Sequence, residues 1–186
     1  MKKILTALLT VSLVSLAAAQ TTPAPIKLAT TATVSTASLS LSAASRIAML
    51  AVNNCAQLGY NVSATVVDRS GVTLAVARSE NAGPHTLGAS SGKAFTSASA
   101  RALTSDIAKN LPNNPALADI PGYLVLAGGA PIRVEGAVVG AVGVGGAPSG
   151  LIDEKCGTDA VTTVLVYTAA PGVPSFCFSS RVKFSR

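Results

Sequence analysis

The 186-residue sequence contains no tryptophan, one histidine and three cysteines, with 4% aromatic and 12% charged residues. A single histidine, His85, rules out histidine-cluster metal sites and leaves one imidazole for any general acid–base chemistry. One histidine with three scattered cysteines matches no structural zinc spacing, and no C-x-x-C-H haem-attachment run occurs. No G-x-S-x-G elbow is present, so nucleophilic serine chemistry has neither its turn nor a choice of bases. Carboxylate-pair chemistry needs two acids facing a cleft, whereas Asp153 and Glu154 are sequence neighbours in the first turn of an expected helix, where the helix dipole accounts for them. No catalytic residue is assigned.

Charge of one sign is also missing from the expected domain. Lys2 and Lys3 head the chain, Ile4 to Leu16 is a short apolar run, and Ala17-Ala18-Ala19 precedes Gln20. This is the pattern of a signal peptide cleaved near Ala19. It implies a secreted or periplasmic protein. No later run reaches the roughly 18 apolar residues of a membrane span. Removing Lys2 and Lys3 from the 14 basic residues leaves 12 against 8 acidic, and between Leu39 and Ala170 the count is 8 against 8. A nucleic-acid binder carries a basic stripe on its folded core, so that class is set aside.

The expected organisation is a signal peptide over 1–19, a flexible Thr/Ala/Pro-rich lead-in over 20–38, one domain over 39–170 and a C-terminal extension over 171–186. Ser40 or Ser42 caps a helix running to Leu58, with Ala44, Ile47, Ala48, Ala51, Cys55 and Leu58 on one face and Gly59 as the stop. Strands follow at Asn61–Asp68 and Val72–Arg78, joined by a hairpin turn. Helical stretches run from Thr86 to Ala102 and from Thr104 to Lys109. Asn110 to Asp119 is a loop. Strands are then expected at Tyr123–Ala127, Ile132–Glu135 and Val138–Val144, with a last helix from Ser149 to about Tyr167. Hairpin-linked strands between helices give an antiparallel sheet covered by helices, an α+β sandwich.

Gly143-Val144-Gly145-Gly146 invites a dinucleotide reading, but Pro148 occupies the place of the third glycine, so a tight structural turn is expected instead. The cysteines suit an oxidising compartment. If the first and last helices lie side by side, Cys55 can pair with Cys156 across 101 residues, for which chain entropy gives about 4.7 kcal/mol. The rival pairing, Cys156 with Cys177, would clamp the C-terminal tail.

Several pieces in order carry a family resemblance: Thr65-Val-Val-Asp68 with Gly71; Arg78 with Ala82-Gly-Pro-His-Thr86; Ser90 and Lys93-Ala94; Gly128-Gly129 with Pro131-Ile132; Gly140 to Gly146; and Asp153-Glu-Lys-Cys156. Leu39 to Tyr167 resembles the GlcG/HbpS family of haem-binding and haem-degrading domains. The resemblance implies an α/β/α layered, profilin-like domain around a five-stranded antiparallel sheet, assembled as a homo-oligomer. It makes haem or a related tetrapyrrole the leading ligand. Members ligate haem iron differently, by a threonine or by a first-helix histidine, and the first helix of this chain has no histidine. In that frame Gly83 and Pro84 present His85, as axial metal ligand, and Thr86 at a helix start. Arg78 and Lys93 pair with a ligand carboxylate, and Gly128-Gly129 lets the ligand approach the backbone. The plain alternatives are a His85 that orders its own turn, a solvated Lys93 and an Arg78 paired with Glu80. A haem-degrading or small-acid enzyme and an oligomeric interaction module without a small ligand are the competing functions.

Overall fold

The computed structural model describes residues 24–169, with side chains to 166. The signal-peptide cleavage site, the extension over 171–186 and Cys177 lie outside the described residues. Ala24–Ser35 is an exposed irregular segment belonging to a unit of its own, and the compact domain starts at Thr36.

Helix α1 spans Leu41–Gln57. The Ser40 hydroxyl accepts from the Ala43 amide and satisfies one of the free N–H groups of the first turn. The helix stops before Gly59, whose φ of +86° suits a residue without Cβ. Strands β1 (Ser63–Asp68) and β2 (Thr73–Arg78) form a hairpin, and Asp68 Oδ1 accepts the amides of Ser70 and Val72 across its turn. Helices α2 (His85–Ala100) and α3 (Thr104–Asn110) follow, then two 3-10 turns at Leu111–Asn113 and Pro115–Asp119. Strands β3 (Gly129–Val134) and β4 (Ala137–Gly145) form a second hairpin before helix α4 (Gly150–Ala169).

The sheet has four strands in the order β2-β1-β4-β3, all antiparallel. This corrects the expected count of five. The missing strand is Tyr123–Ala127, which runs as irregular chain against α2. The Leu124 amide donates to Thr96 Oγ1 rather than to a neighbouring strand, and Leu124 lies over Gly92, where a Cβ would stand 2.9 Å from its own. Tyr123 is edge-on to Phe95 and its hydroxyl donates to Ser99. An apolar run whose amide is taken by a helix side chain has no call on a sheet edge.

Helices α1 and α4 lie side by side on one sheet face, and α2 covers the other. The main core joins Ile47, Ala51 and Cys55 of α1 to Val66 of β1, Val142 and Val144 of β4, and Cys156 and Val164 of α4. Cys55 and Cys156 form a disulfide inside this core, with Cα atoms 5.6 Å apart. Cys156 is therefore not available to Cys177. On the opposite face Ala141, Gly143 and Gly145 give β4 an almost bare surface. A Cβ on Gly143 would stand 2.1 Å from the Ser90 carbonyl oxygen and 2.4 Å from the Ala94 amide. The glycines that resembled a nucleotide loop are thus the bed on which α2 lies.

Candidate functional site

The residues singled out from the sequence fall into two places along α2. At its N-terminal end, Pro84 precedes the first helical residue, His85. His85 is exposed, and the Nδ1–Cε1 edge of its ring lies so close to Gly83 that a Cβ there would be 2.7 Å from Cε1 and 2.9 Å from Nδ1. Glycine at 83 is what lets the ring fold back over the turn. Neither ring nitrogen has a hydrogen-bond partner among the described residues. Arg78, exposed at the end of β2, donates through Nη2 to the Ala82 carbonyl, which ties the strand to the turn that carries His85. Arg78 makes no ion pair with Glu80.

Thr86, next to His85, points inward and is buried. Its hydroxyl donates to the Gly83 carbonyl at 2.7 Å and sits 2.7 Å from the Ser63 hydroxyl, which supplies the second proton. One helical turn on, Ser90 repeats the pattern with Thr65 at 2.8 Å while donating to the Leu87 carbonyl. These buried hydroxyl pairs fasten α2 to β1 and fix the start of the helix, hence the position of the His85 backbone. Polar groups buried this way hold their place because each is satisfied.

Lys93 lies eight residues further along α2, about 12 Å of helix axis from His85. It is 4% exposed. Its ammonium donates to Asp153 Oδ2 and to the Val144 carbonyl, both at 2.9 Å. Lys93 thus meets a carboxylate, one supplied by its own chain. Asp153 Oδ1 accepts the Ala147 amide and so clamps the β4–α4 connection. Glu154 accepts the Ser105 hydroxyl at 2.6 Å, the Ser105 amide and the Gly128 amide. Gly129 donates to Thr104 Oγ1 at 2.7 Å. A Cβ on Gly128 would stand 2.7 Å from Lys93 Nζ, and one on Gly129 2.4 Å from the Lys93 carbonyl oxygen. The room left by the two glycines is filled by Lys93.

The structure therefore gathers Arg78, His85 and Thr86 at one end of α2 and Lys93, Gly128 and Gly129 in a buried frame around the start of α4. The roles of Asp153 and Glu154 escaped the sequence because two acids in a first helical turn are explained by the dipole alone. Their burial depends on α3 and on the 128–129 segment, whose approach no local pattern encodes. Among the described residues no three His, Cys, Asp or Glu side chains converge as a metal site, and no helix is long and apolar enough to cross a membrane.

An antiparallel sheet with helices on both faces, pinned by a buried lysine–carboxylate frame and bearing a lone exposed histidine at a helix start, defines a small α+β sandwich domain. The chain belongs to the HbpS-like family, described as haem degrading protein HbpS-like, whose model matches residues 39–162. It is similar to HbpS, with 42% identity over 75% of this chain and 99% of that one at a TM-score of 0.70. A double Glu-to-Asp mutant of HbpS from Streptomyces reticuli matches at 41% identity over 76% and 97%, again with a TM-score of 0.70. The same fold occurs in a complex of PduOC with haem, at 20% identity, 67% and 94% coverage and a TM-score of 0.61. No curated protein matches the chain.

Proposed function

We propose that this protein is an exported haem-binding protein in which His85 is the axial ligand and Arg78 the partner of a propionate. The observation that carries the reading is the state of His85: exposed, set against Gly83 at the start of α2, with no hydrogen bond on either ring nitrogen among the described residues. An imidazole nitrogen without a partner is the chemistry an axial ligand requires. Exposed Val76 on β2, which pairs with Thr65, and exposed Leu87 on α2 add apolar surface near that end of the domain. Arg78 keeps guanidinium donors beyond the one given to Ala82, enough for a carboxylate. Thr86, Lys93, Gly128 and Gly129 serve as framework in this reading.

Family membership and the haem complex of a protein with the same fold support haem as the ligand class. The disulfide suits an oxidising compartment, in keeping with export. A catalytic reading has less support, because no carboxylate or hydroxyl among the described residues orients the His85 ring as a general base would be oriented. Haemin titration of the purified protein tests the proposal. The expected result is a saturable Soret shift, with a changed spectrum and roughly tenfold weaker binding in His85→Ala. Absence of any shift overturns haem binding, and a His85→Ala spectrum identical to the parent overturns the ligand assignment.

A further inference from the structure

The opposite end of the sheet carries a second cluster that haem binding does not use. Arg69 follows β1, Arg101 closes α2 and Arg133 lies on β3, and all three line one pocket of about 240 Å³ with Ala37, Gly136 and Val138. The 16 residues of α2 separate it from His85 by about 24 Å of helix axis. Three of the 8 basic residues in an otherwise neutral domain thus meet at one place.

None of the three arginines forms an ion pair among the described residues. Asp68, beside Arg69 in sequence, has committed Oδ1 to the Ser70 and Val72 amides. Glu135, in the β3–β4 turn, does not line the pocket. Arg133 is fixed in place by donating to the Gly136 carbonyl at 3.2 Å and to the Arg101 carbonyl at 2.7 Å. With two of its five N–H donors so used, three remain. The guanidinium groups of Arg69 and Arg101 have no partner among the described residues. Arg101 also holds a left-handed backbone, φ 58° and ψ 31°, at the end of α2, where glycine or asparagine is the usual residue. Arg101 keeps this conformation, which non-glycine residues adopt uncommonly, beside a pocket lined by two more arginines.

We propose that this pocket binds a compact, multiply charged phosphoryl anion. Three positive charges gathered with no ion pair to any of them attract a polyvalent anion. A lone carboxylate occupies one guanidinium fork, whereas a phosphoryl group offers at least three oxygens to several forks at once. The volume is below the roughly 300–1,000 Å³ of pockets that enclose whole cofactors, so it takes a head group and not a porphyrin.

Isothermal titration of the full chain with inorganic pyrophosphate, at about 150 mM salt to screen loose surface attraction, tests this. Arg101→Gly removes one charge while supplying the residue that adopts this backbone most easily, and Arg69→Ala removes a second from an exposed turn. The expected result is saturable binding of one pyrophosphate per chain, at least about tenfold weaker in the Arg69→Ala/Arg101→Gly variant, whose melting temperature and haemin response match the parent. Citrate is expected to bind at least about tenfold more weakly than pyrophosphate. Absence of saturable pyrophosphate binding, equal binding by the double variant, or citrate as tight as pyrophosphate overturns the proposal. A failed haemin titration leaves these outcomes intact, because the two sites lie at opposite ends of α2.

Discussion

Replacing Lys93 by methionine separates a structural lysine from a ligand-binding one. The substitution keeps most of the side-chain volume and removes the ammonium. What remains is an Asp153 carboxylate, 2% exposed, whose Oδ2 has lost its donor, and a Val144 carbonyl that has lost one as well. Breaking a buried ion pair by removing one partner costs about 3–5 kcal/mol, because the surviving charge is left in a medium that solvates it poorly. For a domain of this size about 1 kcal/mol moves the melting temperature by roughly 3–5 °C, so Lys93→Met should melt roughly 10–25 °C below the parent. Adding Asp153→Asn removes the stranded charge while leaving an oxygen for the Ala147 amide, and the double variant should recover part of the loss. Urea unfolding with the disulfide intact gives the free energies, and the four proteins form a double-mutant cycle whose coupling should be favourable. A Lys93→Met protein within about 1 kcal/mol of the parent, yet deaf to haemin, would refute the structural assignment and return Lys93 to the ligand.

Further outcomes concern the scaffold. Cys55→Ala/Cys156→Ala, measured by urea unfolding, should lose about 2–4 kcal/mol, with the chain-entropy value of about 4.7 kcal/mol as the ceiling set by 101 residues. Gly143→Ala places a methyl against the backbone of α2, which cannot swing aside, and should cost at least about 1–3 kcal/mol in the same assay. Gly88→Ala is the matched control: its Cβ meets nothing within 4 Å on the exposed side of α2, so thermal melting should show a gain of about 0.5–1 kcal/mol.

Where one element carried its own pattern, the sequence announced it. The apolar face of α1 was readable because Ala44, Ile47, Ala48, Ala51 and Cys55 recur with the helical period and are buried, whereas Leu58, expected on the same face, lies past the last helical residue and is exposed. Val161 to Val166 is β-branched at every position but Leu165 and argues locally against a helix, yet α4 continues through it because Val161 and Val164 are buried in the core and the disulfide holds the helix to α1. Tyr123–Ala127 misled in the opposite sense. Its apolar run has strand character, but strands are defined by neighbours, and its neighbour is the side of α2. Helix α2 ends at Ala100, two residues before the expected Ala102, since arginine is not a stop signal and only the left-handed backbone of Arg101 reveals it.

The candidate sites divide along the same line. His85 was visible because it is unique and sits in a Gly-Pro turn. Lys93 is expected from sequence to meet a ligand carboxylate or water, because no local rule marks a lysine that will meet Asp153, sixty residues later. Arg69, Arg101 and Arg133 belong to three separate elements, and nothing short of the tertiary fold brings them to one pocket.

The Cys55–Cys156 bond makes the stretch between α1 and α4 a closed ring of chain. The longest bare part of that ring is the Leu111–Gly122 segment, exposed at almost every residue and held by two 3-10 turns. A protease cutting there opens the ring without dividing the molecule: the two pieces stay joined through sulfur, with the sheet and the Lys93–Asp153 clamp on either side of the cut. A protein nicked there runs as two bands only after reduction of the Cys55–Cys156 bond.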